Sequence, residues 1–164
     1  MAECCLAVGR FLQDRSIYHG DYRPINIMLS DEGYVKVPDN GILSGVRNNY
    51  FKTISGECRG YLTPELMRSF SKREPNPKYN VYKADVFSLG VTLIYASTLV
   101  RPNTSCYDWS QYTLNIKGIQ DLLKRVDGRY SATWRELLEV MLGIGKEEDS
   151  RHDFKFLYPL KVLN

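Results

Sequence analysis

Residues 82–98 are apolar nearly all the way round a helix, with Val86, Phe87, Leu89, Val91, Leu93 and Ile94 covering every side. Such a helix is stable in water only when other elements surround it, so the rest of the chain has to supply a shell. The longest apolar run, Val86 to Val100, is too short to span a bilayer, and Lys83 and Asp85 stand at its start. It therefore reads as the centre of a protein core. At 164 residues, 43% hydrophobic and 25% charged, the chain has the size and balance of one globular domain able to bury such a core.

The flanking segments predict the shell. Residues 3–15 carry Cys4, Val8, Phe11 and Leu12 at helical spacing, which gives one buried face. Asn26-Ile27-Met28-Leu29 and Tyr34-Val35-Lys36-Val37 are β-prone runs around the turn residues Asp31-Glu32-Gly33, a hairpin signal. Residues 40–60 lack a period and read as a long loop, which in a compact domain is usually functional. Thr63-Pro64-Glu65 reads as a helix start, with a capping hydroxyl, a proline at the first helical position and an acidic first turn. A second loop covers 73–80, and residues 117–126 and 133–142 are amphipathic helices. In the latter Trp134, Leu137, Leu138, Met141 and Leu142 form the apolar stripe, and Gly143 can end it. A last helix is expected from near Ser150 to Pro159. The fold class that follows is mainly α with one small β-hairpin.

Charge and cysteine usage narrow the partners. The formal charge of +3 is small and interspersed, and Lys72-Arg73 is not extended into a basic run, so nucleic acid and membrane surfaces are not expected partners. Cys4, Cys5, Cys58 and Cys106 show no CxxC spacing, and with only His19 and His152 present a zinc site is not expected. Glu3 and Gly9 interrupt the apolar start, which argues against a signal peptide. The chain reads as a cytoplasmic protein with reduced thiols.

The chemistry concentrates in His19-Gly20-Asp21-Tyr22-Arg23-Pro24-Ile25-Asn26-Ile27-Met28-Leu29. Ten residues on comes Asp39-Asn40-Gly41, then Gly60-Tyr61-Leu62-Thr63-Pro64-Glu65, then Asp85-Val86-Phe87-Ser88-Leu89-Gly90, and finally Asp149-Ser150-Arg151. Taken singly, Asp21 would more often be a turn residue, Asn26 a loop residue and Asp39-Asn40-Gly41 a plain turn. In this order and spacing they resemble the eukaryotic-type protein kinase family: the HRDLKPENILL catalytic loop, the DFG motif, the APE region, the DVWSLG start of the central helix and the late arginine. The resemblance covers almost the whole chain and implies a kinase-like C-terminal lobe.

Phosphoryl transfer needs a hydroxyl held in line and the phosphate charge neutralised. The resemblance implies Asp21 as the residue that orients the hydroxyl and accepts its proton, with Arg23 on the transferred phosphate. Asn26 and Asp39 are the expected Mg²⁺ ligands and ATP-binding residues, both offering hard oxygen donors, and Met28 is a further ATP-binding residue. His19, Glu65, Asp85 and Arg151 are expected to be structural. Glu65 and Arg151 would pair in the interior, and Asp85 would accept backbone hydrogen bonds from the catalytic loop. ATP, Mg²⁺ and a protein substrate or protein partner are the expected ligands.

The pattern also departs from the family. Gly20 stands where the family has the HRD arginine, which usually binds an activation-loop phosphate; Thr53 and Ser55 are the nearby phosphosite candidates. Asn40 replaces the DFG phenylalanine, and Tyr22 replaces a usual leucine. No G-x-G-x-x-G or V-A-I-K-like strand precedes the catalytic loop, so residues 1–164 are expected to be a partial kinase domain lacking the N-terminal lobe. Two readings follow: a Ser/Thr protein kinase domain, with Pro24 favouring Ser/Thr over Tyr, or an inactive pseudokinase or scaffold that acts by binding protein. A small-molecule phosphotransferase fits less well, because the Thr-Pro-Glu segment and the late arginine favour the protein-kinase branch.

Overall fold

The computed structural model describes residues 1–38 and 60–158. Its elements run α1 (Ala2–Asp14), a 3-10 turn (Pro24–Asn26), β1 (Met28–Leu29), β2 (Val35–Lys36), α2 (Pro64–Ser71), α3 (Val81–Thr98), α4 (Pro102–Ser105), β3 (Tyr107–Asp108), β4 (Thr113–Leu114), α5 (Ile116–Asp127), α6 (Ala132–Leu142), a second 3-10 turn (Glu148–Ser150) and α7 (Phe154–Leu157). The loop expected over 40–60 falls, except for Gly60, outside the described residues.

The apolar helix is α3. Asn80 caps it by accepting from the amides of Tyr82 and Lys83, and Leu99 closes it in the left-handed conformation. Val86, Phe87, Leu89, Leu93 and Ile94 are fully buried. The shell required around them is supplied by α1, α5, α6 and α7, all of which pack on α3. No described helix is long and apolar enough to cross a membrane.

The start signal read at Thr63 acts as expected on α2, and α6 has a cap of the same kind that the sequence reading did not name. Thr63 accepts from the Leu66 amide ahead of Pro64, and Ser131 accepts from the Trp134 amide. Leu137, Leu138, Met141 and Leu142 are buried. Trp134 is only half-buried, and its indole Nε1 donates to Oγ of the buried Ser97 at 3.1 Å.

Three expectations are corrected. The buried face of α1 is Ala2, Cys5, Leu6, Gly9 and Gln13, while Cys4 and Phe11 are exposed. At Gly9 the reason is close approach: a Cβ there would lie 2.4 Å from the Phe154 ring. At Gln13 it is hydrogen bonding, since the amide donates to Asp153 Oδ2 at 2.8 Å and accepts from the Lys155 amide at 3.3 Å. The last helix begins at Phe154, where Asp153 caps it, and not at Ser150, which ends a 3-10 turn. Finally, the described residues hold two hairpins, not one. β1 pairs antiparallel with β2, Met28 opposite Lys36, and β3 pairs with β4, Tyr107 opposite Leu114. The second is shaped by Asp108, whose carboxylate accepts from the amides of Ser110 and Gln111 and so bends the turn.

Tyr22 fills its interior position. Its ring centroid lies 4.6 Å from that of His19 and 5.6 Å from that of Phe154. The side chain is fully buried, and its hydroxyl has no hydrogen-bond partner among the described residues. Burial pushes the phenol well above its ordinary pKa. An unpaired buried hydroxyl costs about 1–3 kcal/mol of desolvation. Tyr22→Phe is therefore expected to raise stability by about 1 kcal/mol, seen as a higher urea midpoint at unchanged slope. A lower midpoint would show that the hydroxyl is satisfied.

Candidate active site

The loop from His19 to Asn26 hangs on α3 through one carboxylate. Asp85, buried near the start of that helix, accepts from the His19 amide at 2.7 Å and the Gly20 amide at 2.8 Å, one on each oxygen. Gly20 has φ +78°, a left-handed conformation that glycine adopts without strain. Beside it lies a small cavity lined by Tyr18, Asp21, Thr63, Tyr79 and Asp85. The His19 ring completes the brace: Nδ1 accepts from the Asp21 amide at 3.2 Å, so the proton sits on Nε2, which donates to the Pro38 carbonyl at 2.9 Å. The chain leaving β2 is thereby tied to the loop.

Burial raises the Asp85 carboxyl to about 7; the two amide donors oppose that shift and the nearby charge of Asp21 adds to it. An acid whose pKa is raised on folding is bound as the protonated form more tightly in the fold than in the open chain. Its contribution to stability is then full below about pH 4 and is lost as pH rises through about 7. Subtracting the stability–pH curve of Asp85→Asn from that of the parent should reveal this falling component, on the order of a few kcal/mol. A flat difference between pH 4 and 8 would contradict it.

Asp21 and Arg23 form a bidentate pair, Nε to Oδ1 at 2.5 Å and Nη2 to Oδ2 at 2.7 Å, with both side chains mostly buried. Asn26 is buried, and its Nδ2 donates to the Asp21 carbonyl at 3.0 Å, which leaves Oδ1 as its acceptor atom. Met28 is exposed on β1. Asp39, with Asn40, Gly41, Thr53 and Ser55, lies outside the described residues.

The structure thus brings His19, Asp21, Arg23, Asn26 and Asp85 into one cluster. Glu65 and Arg151 form a separate one. They pair Oε1 to Nη2 with both side chains buried, and the guanidinium carbon lies 5.8 Å from the centroid of the Phe87 ring. Two supporting residues escaped the sequence reading. Thr92 donates its hydroxyl to the Tyr22 carbonyl at 2.5 Å, and Tyr107 donates to the Leu62 carbonyl at 2.8 Å just ahead of α2. The signal for Thr92 was present: it is a polar residue on a helix otherwise apolar all round, and such a group must find a partner.

Residues 1–154 match the protein-family model described as Protein kinase domain. The chain is 35% identical over 98 residues to the dual specificity mitogen-activated protein kinase kinase hemipterous of Drosophila melanogaster, a match covering 58% of this chain and 8% of that protein. It is 36% identical over 87 residues to the dual specificity mitogen-activated protein kinase kinase sek-1 of Caenorhabditis elegans, covering 53% and 24% of the two. To the human dual specificity mitogen-activated protein kinase kinase 7 it is 33% identical over 94 residues, covering 57% and 22%. The chain therefore aligns with less than a quarter of the length of each of these relatives. With a family match over nearly its whole length and the ordered motifs on a helical lobe, the chain belongs to the protein kinase domain family.

Proposed function

We propose that the protein serves in transfer of the ATP γ-phosphoryl group to a hydroxyl of a protein substrate. The observation that carries this reading is the braced loop: Asp85 fixes the backbone at His19 and Gly20, and Asn26 is tied to the Asp21 carbonyl. Catalytic groups held this way need little reorganisation when substrate arrives. Asp21 would orient the hydroxyl and take its proton, and Arg23 would steady the Asp21 carboxylate and face the transferred phosphate. The residues present fit Mg²⁺ and ATP. The amide nitrogen of Asn26 is committed to the loop, so its oxygen is the available hard ligand, and Asp39 follows Pro38, which His19 holds. When bound, the ion would neutralise phosphate charge. Met28, exposed on its strand, offers an apolar contact for the nucleotide base. Pro24 favours Ser or Thr as acceptor; the relatives' names include dual specificity, which supports extending the acceptor to Tyr. The thiols of Cys4, Cys5 and Cys106 support a cytoplasmic protein.

A second reading, a pseudokinase or scaffold that binds protein without transfer, is favoured by one observation: both oxygens of Asp21 already accept from Arg23. Incubation with γ-labelled ATP, Mg²⁺ and mixed Ser, Thr and Tyr peptides separates the two. Label on a peptide hydroxyl, lost on chelation of Mg²⁺, supports transfer. Peptide binding with no label under any condition leaves the scaffold.

A further inference from the structure

A cavity of about 290 Å³ opens beside the braced loop, lined among others by Arg23, Ile25, Tyr61, Tyr95, Arg101 and Asn103. It starts one side chain away from Asp21, because Arg23 both grips that carboxylate and lines the hollow. Its described lining holds two guanidinium groups and no carboxylate. The charge of Arg23 is met by Asp21. Arg101 is exposed, and no side-chain hydrogen bond or ion pair engages it among the described residues. Among the described residues, one positive charge therefore faces the groove with no acid paired to it. Burial pushes the Tyr61 phenol up to about 12, so it stays neutral and can donate. The Asn103 Oδ1 is buried behind the lining and has no donor among the described residues. The exposed Ile25 adds an apolar wall. An extended segment with an anionic side chain is the occupant that matches this set of groups.

We infer that Arg101 is a specificity-determining residue, selecting acceptor segments that carry an anionic side chain, carboxylate or phosphate, close to the accepting hydroxyl. The inference rests on the phosphotransfer reading for the word acceptor, but the selectivity is a property of the groove and can be read by binding alone.

The test uses the full chain and a fluorescent peptide set in which each position flanking one Ser, Thr or Tyr is Asp, Glu, phosphothreonine, Ala or Lys. Two quantities are read, transfer from ATP and peptide binding by anisotropy. The expected result is about a tenfold advantage for the anionic peptides at one flanking position, expressed in KM and not in kcat. Arg101→Glu should erase it and favour Lys, while Arg101→Lys keeps part of it. The Asp and Glu arms against the phosphothreonine arm tell which anion is preferred. Arg101 is exposed, so circular dichroism should find both variants folded. Transfer without any anionic preference, or a preference untouched in Arg101→Glu, overturns the inference and leaves phosphotransfer standing. Binding that prefers anionic peptides through Arg101, with no transfer to any peptide, overturns phosphotransfer and supports the inference as binding selectivity. Absence of both overturns both.

Discussion

Arg151→Met is expected to lower the stability of the domain by about 3–5 kcal/mol. Arg151 and Glu65 meet in the interior with side-chain exposures of 2% and 8%, so water cannot take over when one partner goes. Removing the arginine leaves the buried Glu65 carboxylate uncompensated, and that desolvation cost sets the size of the effect. The pair itself is a different quantity. Two buried charges are each expensive to desolvate, and their mutual attraction offsets only part of it, so Glu65→Leu combined with Arg151→Met should recover most of the loss. Urea unfolding of the two single variants and the double variant closes the cycle. A single-variant loss below about 1 kcal/mol would show that water reaches the pair. For a domain stable by about 5–15 kcal/mol in all, Arg151→Met by itself approaches the limit of folding.

Asp21→Asn is expected to reduce phosphoryl transfer about 10²- to 10⁴-fold, the usual worth of a positioned general base. The asparagine is nearly the same shape, yet it fails in two ways. It cannot accept the hydroxyl proton, and it can accept only one of the two hydrogen bonds from Arg23, presenting an NH₂ to the guanidinium at the other. Nucleotide affinity should hardly change, since Asn26 and Asp39 are the proposed ligands. Single-turnover rates with equilibrium binding of Mg·ATP separate the effects. Arg23→Ala, which frees both Asp21 oxygens, is the informative control. If Asp21 has no part in transfer, Asp21→Asn will match the parent rate.

The sequence made α3 and the start of α2 legible because their physics is local: an all-round apolar surface, or a hydroxyl three residues ahead of an amide. The face of α1 was not legible in the same way. Gly9 and Gln13 carry no hydrophobic signal; they are buried because Phe154 and Asp153, some 140 residues along the chain, come to meet them. Reading Cys4 and Phe11 as core followed hydropathy where partner shape decided. The second hairpin was missed because two-residue strands are too short to alternate, and the turn rests on one Asp108 carboxylate. The Asp85 brace and the Glu65–Arg151 pair join residues 66 and 86 positions apart, so only the family resemblance could propose them before coordinates existed.

The meeting of α1 with α7 also constrains how the molecule can be made. Gly9 receives the Phe154 ring, Gln13 bonds Asp153, and Arg10 donates to the Lys155 carbonyl at 3.1 Å. Chain leaves the ribosome at roughly 5–20 residues per second, so α1 waits roughly 7–28 seconds for α7, 140 residues on. Until then α3 is the partner its inner face can find, and the contact that closes it joins residues 140 positions apart, a topology that slows folding. A growing chain of this kind carries a half-covered helix until those 140 residues have been added, which makes it a natural client for chaperones that shield nascent apolar surface.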